Sequence, residues 1–248
     1  MTTAVSLGTW ISTGSALITE LAAEIGFDWV LLDLEHGATT QSDVLSQLQS
    51  LARSRTRGIV RVGNLHPEQI GQLLDWGAHG IMLPHVASAE KAEDLVRAAY
   101  HPPKGNRGLA KTVRATRFGI GSHTDNPPPL LVAQIESAEA VENAESIAAV
   151  PGIDVLFVGP ADLQHHLQNR EKSATAKSES YADCLKTVCA ASAAHGKAAG
   201  ILLKDHIEIS RYRALGFTFI AVESDFGILR SAYQQILSSK TSVKEPLI

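Results

Sequence analysis

Eight times along this chain, a short run of apolar and β-branched residues is followed by a segment of helical period, and few folds accommodate that rhythm. The runs are Val5–Trp10, Trp29–Asp33, Gly58–Val62, Gly80–Leu83, Leu130–Ile135, Asp154–Val158, Ala198–Leu202 and Phe217–Val222. Between the first two, Ser15–Gly26 sets Leu17, Leu21 and Ile25 on one stripe and stops at glycine. Gln41–Arg53 repeats the pattern with Val44, Leu48 and Leu51. Pro67 opens a third helix and Gly77 closes it, while Ser88 caps a fourth that buries Val96. Strands that are apolar throughout and alternate with helices imply a parallel sheet covered on its outer face. Eight such units in 248 residues predict a (β/α)8 TIM barrel, one domain over residues 1–248. The other arrangement, a doubly wound open sheet, lacks its nucleotide fingerprint. No G-x-G-x-x-G follows the first run, and Gly119 and Gly121 in RFGIGS follow no strand.

Composition narrows the function classes. A net charge of −4 gives no long-range pull toward nucleic acid or an anionic membrane, and 44% hydrophobic content argues against a disordered chain. The two cysteines, Cys184 and Cys189, suit neither a disulfide framework nor a thiolate zinc site, and read as core residues of a reduced protein. MTTAVSLGTW lacks the basic and apolar regions of a signal peptide, and no stretch approaches ~20 apolar residues, so a cytoplasmic protein is expected. Residues 101–129, rich in Pro, Gly and Arg, form one long loop. Gln164–Ser178 reads as a second, solvated loop, Phe226–Leu237 as the eighth helix, and Ser238–Ile248 as a loose tail.

In a barrel, polar residues at the C-terminal ends of strands surround one cavity. Here those ends supply Trp10; Asp33, Glu35 and His36; Arg61; Gln134 and Glu136; Gly159 to Asp162; Lys204 and Asp205; and Glu223 and Asp225. Arg61 lies inside an otherwise apolar strand, where an unpaired charge is costly. Gln134 and Glu136 flank Ile135 and so share a strand face. Glu136 and Asp162 end neighbouring strands and could share one hard cation, for which oxygen ligands suit Mg²⁺ or Mn²⁺. An Arg61–Glu136 ion pair would also account for those two residues, but leaves the other polar strand ends unexplained. Among ten histidines, His36 stands out through its neighbours Asp33 and Glu35. His85, also at a strand end, is a weaker candidate. Asp75, in LLDWGAHG, reads from its pattern as a surface carboxylate.

The motifs LGTWIS, LLDLEHGA, IVRVGN, LLDWGAHGIMLPHV, AAYHPPKGNRG, QIES, LFVGPADL and AGILL occur in an order and spacing that resembles the HpcH/HpaI family. These are class II, metal-dependent pyruvate aldolases of the phosphoenolpyruvate/pyruvate barrel superfamily. The resemblance implies reversible cleavage of 4-hydroxy-2-oxo acids into pyruvate, or hydroxypyruvate, and an aldehyde. It implies that His36 is the base, that Arg61 stabilises the enolate oxygen, and that Asp75 raises the basicity of His36. Glu136 and Asp162 would be the metal ligands, for Mg²⁺, Mn²⁺ or Co²⁺. Gln134 would contact substrate, the N–H groups of Ala161 and Asp162 would hold its carboxylate beside Gly159 and Pro160, Trp10 would wall the pocket, and Asp33 and Glu35 would support the ligating groups. A hexamer built as a trimer of dimers, with the eighth helix exchanged between subunits, is implied as well.

The chain departs from the family's usual EHAP at Gly37–Ala38, from its usual proline after the strand-three arginine at Val62–Asn64, and over Lys111–Ser122. All three are expected near the mouth of the pocket, where they would affect the choice of aldehyde. Two other readings differ in chemistry. One is a Schiff-base class I aldolase using Lys204; the other is a lyase of malyl- or citramalyl-type CoA thioesters, for which this chain is short.

Overall fold

The computed structural model describes residues 4–173 and 180–242. Eight parallel strands, β1 (Ser6–Ile11), β2 (Trp29–Asp33), β3 (Arg57–Arg61), β4 (Gly80–Leu83), β5 (Leu130–Ile135), β6 (Val155–Val158), β7 (Ala198–Leu203) and β8 (Phe217–Ser224), pair in chain order. The ring closes where β8 pairs with β1, Ser6 opposite Phe219 and Leu7 opposite Ile220. Each strand lies within two residues of its expected bounds. The structure is therefore the TIM barrel, not the open sheet.

Two apolar layers hold it together. Inside the barrel, Trp10, Trp29, Leu31, Ile59, Met82, Val132, Phe157 and Phe219 fill the axis. Trp29 stacks on Phe219 at 4.2 Å, and Trp10 meets Phe157 at 5.5 Å. The Trp29 indole takes its place because Gly8 faces it, since a Cβ there would come within 2.3 Å of the ring. Outside, leucines, isoleucines and alanines seal the sheet against the helices. Truncating a fully buried aromatic such as Phe157 to Ala would cost about 3–5 kcal/mol.

Helix α1 (Ala16–Ile25) starts on the Ser15 hydroxyl, which accepts the Ile18 N–H at 3.3 Å, and ends on Gly26 at φ 103°. Its expected inner stripe faces outward. Leu17, Leu21 and Ile25 are 76%, 54% and 69% exposed, whereas Thr19 and Ala22 are buried. The small inner residues let α1 lie close to α2 (Gln41–Ser50), where Gln47 Nε2 donates to Thr19 Oγ1 at 3.2 Å. Periodicity locates a stripe but not the side it faces. Helices α3 (Pro67–Asp75) and α4 (Ala89–Ala99) begin and end as expected.

Residues 101–129 form no strand, only 3₁₀ turns at Arg114–Gly119 and His123–Asp125. Because α4 runs antiparallel to the strands, this helix-to-strand connection crosses the N-terminal end of the barrel. Arg114 ties it there, Nη1 donating to Trp76 O at 2.7 Å and Nη2 to Leu48 O at 2.9 Å. Lys111–Ser122 therefore does not line the catalytic mouth of its own chain, contrary to expectation.

Short helices α5 (Ala138–Glu142) and α6 (Ala144–Ala149) join β5 to β6. Then α7 (Pro160–Ser173) replaces most of the expected solvated loop, and residues 174–178 of that loop lie outside the described residues. Helix α8 (Tyr181–Ala194) buries Cys184 and Cys189, and burial pushes the Cys189 thiol up to about 12. Helix α9 (Ile209–Leu215) leads to β8. The last helix, α10 (Asp225–Ser242), runs past Leu237 into the expected tail, of which residues 243–248 lie outside the described residues. Among the described residues, no helix is long and apolar enough to cross a membrane.

Candidate active site

The β2–β3 register sets Asp33 opposite Arg61 at the C-terminal rim. Arg61 grips Asp33 with a two-pronged contact, Nε to Oδ1 at 2.9 Å and Nη2 to Oδ2 at 2.8 Å. Asp33 Oδ1 also accepts the Glu35 N–H at 3.0 Å and the His36 N–H at 3.3 Å, turning the chain back so that Glu35 meets Arg61 Nη1 at 2.9 Å. Trp10 lies with its ring centre 5.6 Å from the guanidinium carbon. Burial opposes the Arg61 charge, but Asp33, Glu35 and Glu136 more than offset it, and the guanidinium pKa is raised.

On β5, Gln134 and Glu136 share the inner face. Gln134 Nε2 donates to Glu136 Oε2 at 2.7 Å, and among the described residues the buried Gln134 Oε1 has no hydrogen-bond partner. The other oxygen, Oε1, accepts the His85 N–H at 2.6 Å and lies 2.8 Å from His85 Nδ1. No Arg61–Glu136 hydrogen bond forms, since each group is engaged elsewhere. Burial raises the Glu136 pKa; the His85 N–H and ring oppose that shift, while Asp162 and Glu35 add to it. The chain passes close to this pair at Gly159, where a Cβ would sit 2.7 Å from Glu136 Oε2 and 2.9 Å from Gln134 Nε2 and would push both groups aside.

Pro160 opens α7, placing Ala161 and Asp162 in its first turn. The first N–H of this stretch bonded back to the chain is that of Leu163, to Gly159 O at 3.0 Å. The N–H groups of Ala161 and Asp162 precede it, at the positive end of the helix dipole, which favours a carboxylate.

Buried Glu136 beside Asp162 and Glu35 concentrates negative charge that a hard divalent cation would relieve. The donor set fits such an ion. Among the described residues no three carboxylate, imidazole or thiolate groups form a closed ligand cage.

His36 stands on the rim with its side chain 70% exposed, Nε2 lying 4.0 Å from Glu35 Oε2. Asp75 is not brought to it within the chain. It ends α3, at the opposite end of the barrel, and pairs there with Arg107. Lys204 is exposed beyond β7 and joins no group of this cluster. Asp225 is buried for a different purpose, accepting the Ser12 and Thr13 N–H groups at 2.9 and 3.1 Å and stitching β8 to β1. Sequence reasoning underrated His85. Its only signal was a polar residue directly after the apolar strand and Pro84.

Known proteins resemble this chain along nearly its whole length. Residues 6–232 match the family described as HpcH/HpaI aldolase/citrate lyase. A protein of Shigella dysenteriae serotype 1 (strain Sd197) named 5-keto-4-deoxy-D-glucarate aldolase is 36% identical over 238 residues, covering 94% of this chain and 91% of that protein. The crystal structure of a family member from Burkholderia cenocepacia J2315 superposes with a TM-score of 0.87 at 34% identity, covering 96% of this chain and 95% of that one. The citrate synthase SbnG superposes with a TM-score of 0.82 at 27% identity, covering 98% and 96%.

Proposed function

The chain belongs to the HpcH/HpaI aldolase/citrate lyase family and is a carbon–carbon lyase acting on small molecules, and on that premise we propose which groups carry the reaction. The substrate is a 4-hydroxy-2-oxo acid, cleaved reversibly to pyruvate, or hydroxypyruvate, and an aldehyde. The relative named for 5-keto-4-deoxy-D-glucarate supports a dicarboxylic substrate of that pattern, counted from its keto-bearing end. The observation that carries the reading is Glu136, a buried carboxylate held by Gln134 and His85 beside a fully paired Arg61.

Glu136 and Asp162 would hold a divalent cation, Mg²⁺, Mn²⁺ or Co²⁺, which as a Lewis acid polarises the 2-oxo acid. The N–H groups of Ala161 and Asp162 bind the substrate carboxylate, with Gly159 and Pro160 shaping that turn, Gln134 beside it and Trp10 as a wall. His36 accepts the proton of the C4 hydroxyl. The C3–C4 bond then breaks, its electron pair becomes the C2–C3 double bond, negative charge settles on the keto oxygen, and the aldehyde departs. Arg61, locked by Asp33 and Glu35, presents fixed positive charge to that oxygen. No reorganisation is then needed as the charge develops. A proton delivered to C3 completes pyruvate.

The test is pyruvate release from 5-keto-4-deoxy-D-glucarate, before and after EDTA and on adding back each metal. Loss with EDTA and recovery with metal is the expected result. Turnover that survives EDTA would shift the chemistry to a Schiff base on Lys204, trappable by borohydride. No release from any 2-oxo acid would end the aldol reading.

Assembly belongs to the same proposal. Leu17, Leu21 and Ile25 on α1, and Phe226, Ile228, Tyr233, Ile236 and Leu237 on α10, are large apolar side chains left exposed on this chain. These faces support exchange of α10 between copies, in a hexamer built as a trimer of dimers. Asp75 could tune His36 only across such an interface, because within one chain it lies at the far end. Sedimentation of the pure protein should give about six chains; a single-chain mass would refute both the assembly and the role of Asp75.

A further inference from the structure

His85 is the residue of the rim whose geometry exceeds what packing requires. It follows Pro84 at the end of β4 with φ 54°, a left-handed conformation that is uncommon without glycine and survives where surroundings over-determine it. Three contacts pin the turn. Its carbonyl accepts Lys91 Nζ at 2.9 Å, its N–H goes to Glu136 Oε1 at 2.6 Å, and the next N–H, from Val86, goes to Gln134 O at 3.1 Å. The consequence is specific: one residue presents both its backbone N–H and its ring Nδ1 to the same carboxylate oxygen, at 2.6 and 2.8 Å. The other ring nitrogen, Nε2, lies 3.5 Å from Glu35 Oε1, and Glu35 in turn holds Arg61.

Two halves of the rim thus meet at one imidazole. Asp33, Glu35 and Arg61 form the arginine half; Gln134, Glu136 and Asp162 form the carboxylate half. From this geometry we infer that His85 is a positioning residue that fixes the rotation of Glu136, occupying Oε1 so that Oε2 is turned toward the cation site, and ties that carboxylate to the Glu35–Arg61 pair. Among the described residues only Gln134 shares Oε2, which leaves that oxygen a lone pair for a ligand. Without the ring, the His85 N–H on Oε1 and Gln134 Nε2 on Oε2 remain, but the second hold on Oε1 and the tie to Glu35 are lost. The ring itself is 63% exposed, so it fills no core space that would explain it as packing.

This inference rests on the proposed metal-dependent aldolase reading, and its test separates the two. The dissociation constant for Mn²⁺ is measured by calorimetry on the wild type, His85→Ala and His85→Asn, alongside kcat and KM for pyruvate release. Asparagine places an amide donor near the position of Nδ1 and tolerates the left-handed backbone. Groups that orient metal ligands typically change affinity by ~10- to 100-fold, so His85→Ala should bind Mn²⁺ at least ~10-fold more weakly. kcat should fall while thermal stability holds. His85→Asn should recover most of both losses. Mn²⁺ binding by His85→Ala within twofold of wild type would overturn the inference. So would His85→Asn as impaired as His85→Ala, since the N–H would then be irrelevant. A wild type that binds Mn²⁺ yet releases no pyruvate would instead defeat the functional reading and leave the His85 comparison decidable from the calorimetry.

Discussion

Both ends of this barrel gather charged and imidazole side chains, yet they organise them differently. At the C-terminal rim, charges meet charges: Arg61 serves two carboxylates, Glu136 collects donors from two residues, and six groups from four strands interlock within hydrogen-bond reach. At the N-terminal end, around a cavity of about 620 Å³, Arg107 pairs with Asp75, but several other such groups end on a backbone carbonyl. Arg114 reaches Trp76 O and Leu48 O, His123 reaches Ala110 O, and His101 reaches Arg107 O. Side chains that answer local carbonyls hold a loop in place. Side chains that answer one another across strands, with the buried amide oxygen of Gln134 unpartnered among the described residues, hold a site ready for a ligand.

The sharpest way to break that contrast is to remove its central residue at the rim. Arg61→Ala should lower kcat/KM by ~10²–10³-fold, through loss of the charge facing the keto oxygen. It should also cost about 3–5 kcal/mol of stability, since Asp33 and Glu35 stay buried without their partner. His36→Ala, on the same rim but exposed, should cost a similar or greater share of turnover, ~10²–10⁴-fold, with a stability change under about 0.5 kcal/mol. Assays paired with thermal melts decide this. If the two variants lose stability equally, the interlocked description of Arg61 is wrong. At the other end, Arg114→Ala should be the mirror image: about 1–3 kcal/mol less stable, because two carbonyls lose their donor, with kcat and KM unchanged. An Arg114 variant that folds well but turns over slowly would place residues 101–129 in the catalytic machinery after all.

Much of this was legible in advance, and the exceptions have causes. The strands were visible because a strand buried on both faces must be apolar throughout, so Trp29–Asp33 and Gly80–Leu83 announce themselves. Arg61 and Glu136 were visible because a charge in such a run needs a partner. The identity of that partner was not visible: Arg61 pairs with Asp33 and Glu35, not with Glu136. Pairing of that kind depends on interstrand register and on the turn that Asp33 makes with its own following N–H groups. His85 was obscured for a related reason, since its reach toward Glu136 comes from one left-handed residue, and histidine is only modestly informative about φ. The α1 stripe was seen but faced outward, because a 3.6-residue period is the same whichever side it points to. Helix α7 was hidden by its polar composition, which is what a solvated helix and a solvated loop have in common.

Composition, alternation and the placement of polar residues at strand ends determined the barrel and, through it, the set of residues that share a rim. Those properties follow from burial, which acts on each residue by itself and so leaves a trace in the sequence. Which of those residues touch, which one is locked and which left free, and that Asp75 sits at the opposite end from His36, were decided only when the ring closed. Hydrogen bonds and ion pairs depend on distances of a few tenths of an ångström between groups far apart in the chain. No local pattern encodes such distances.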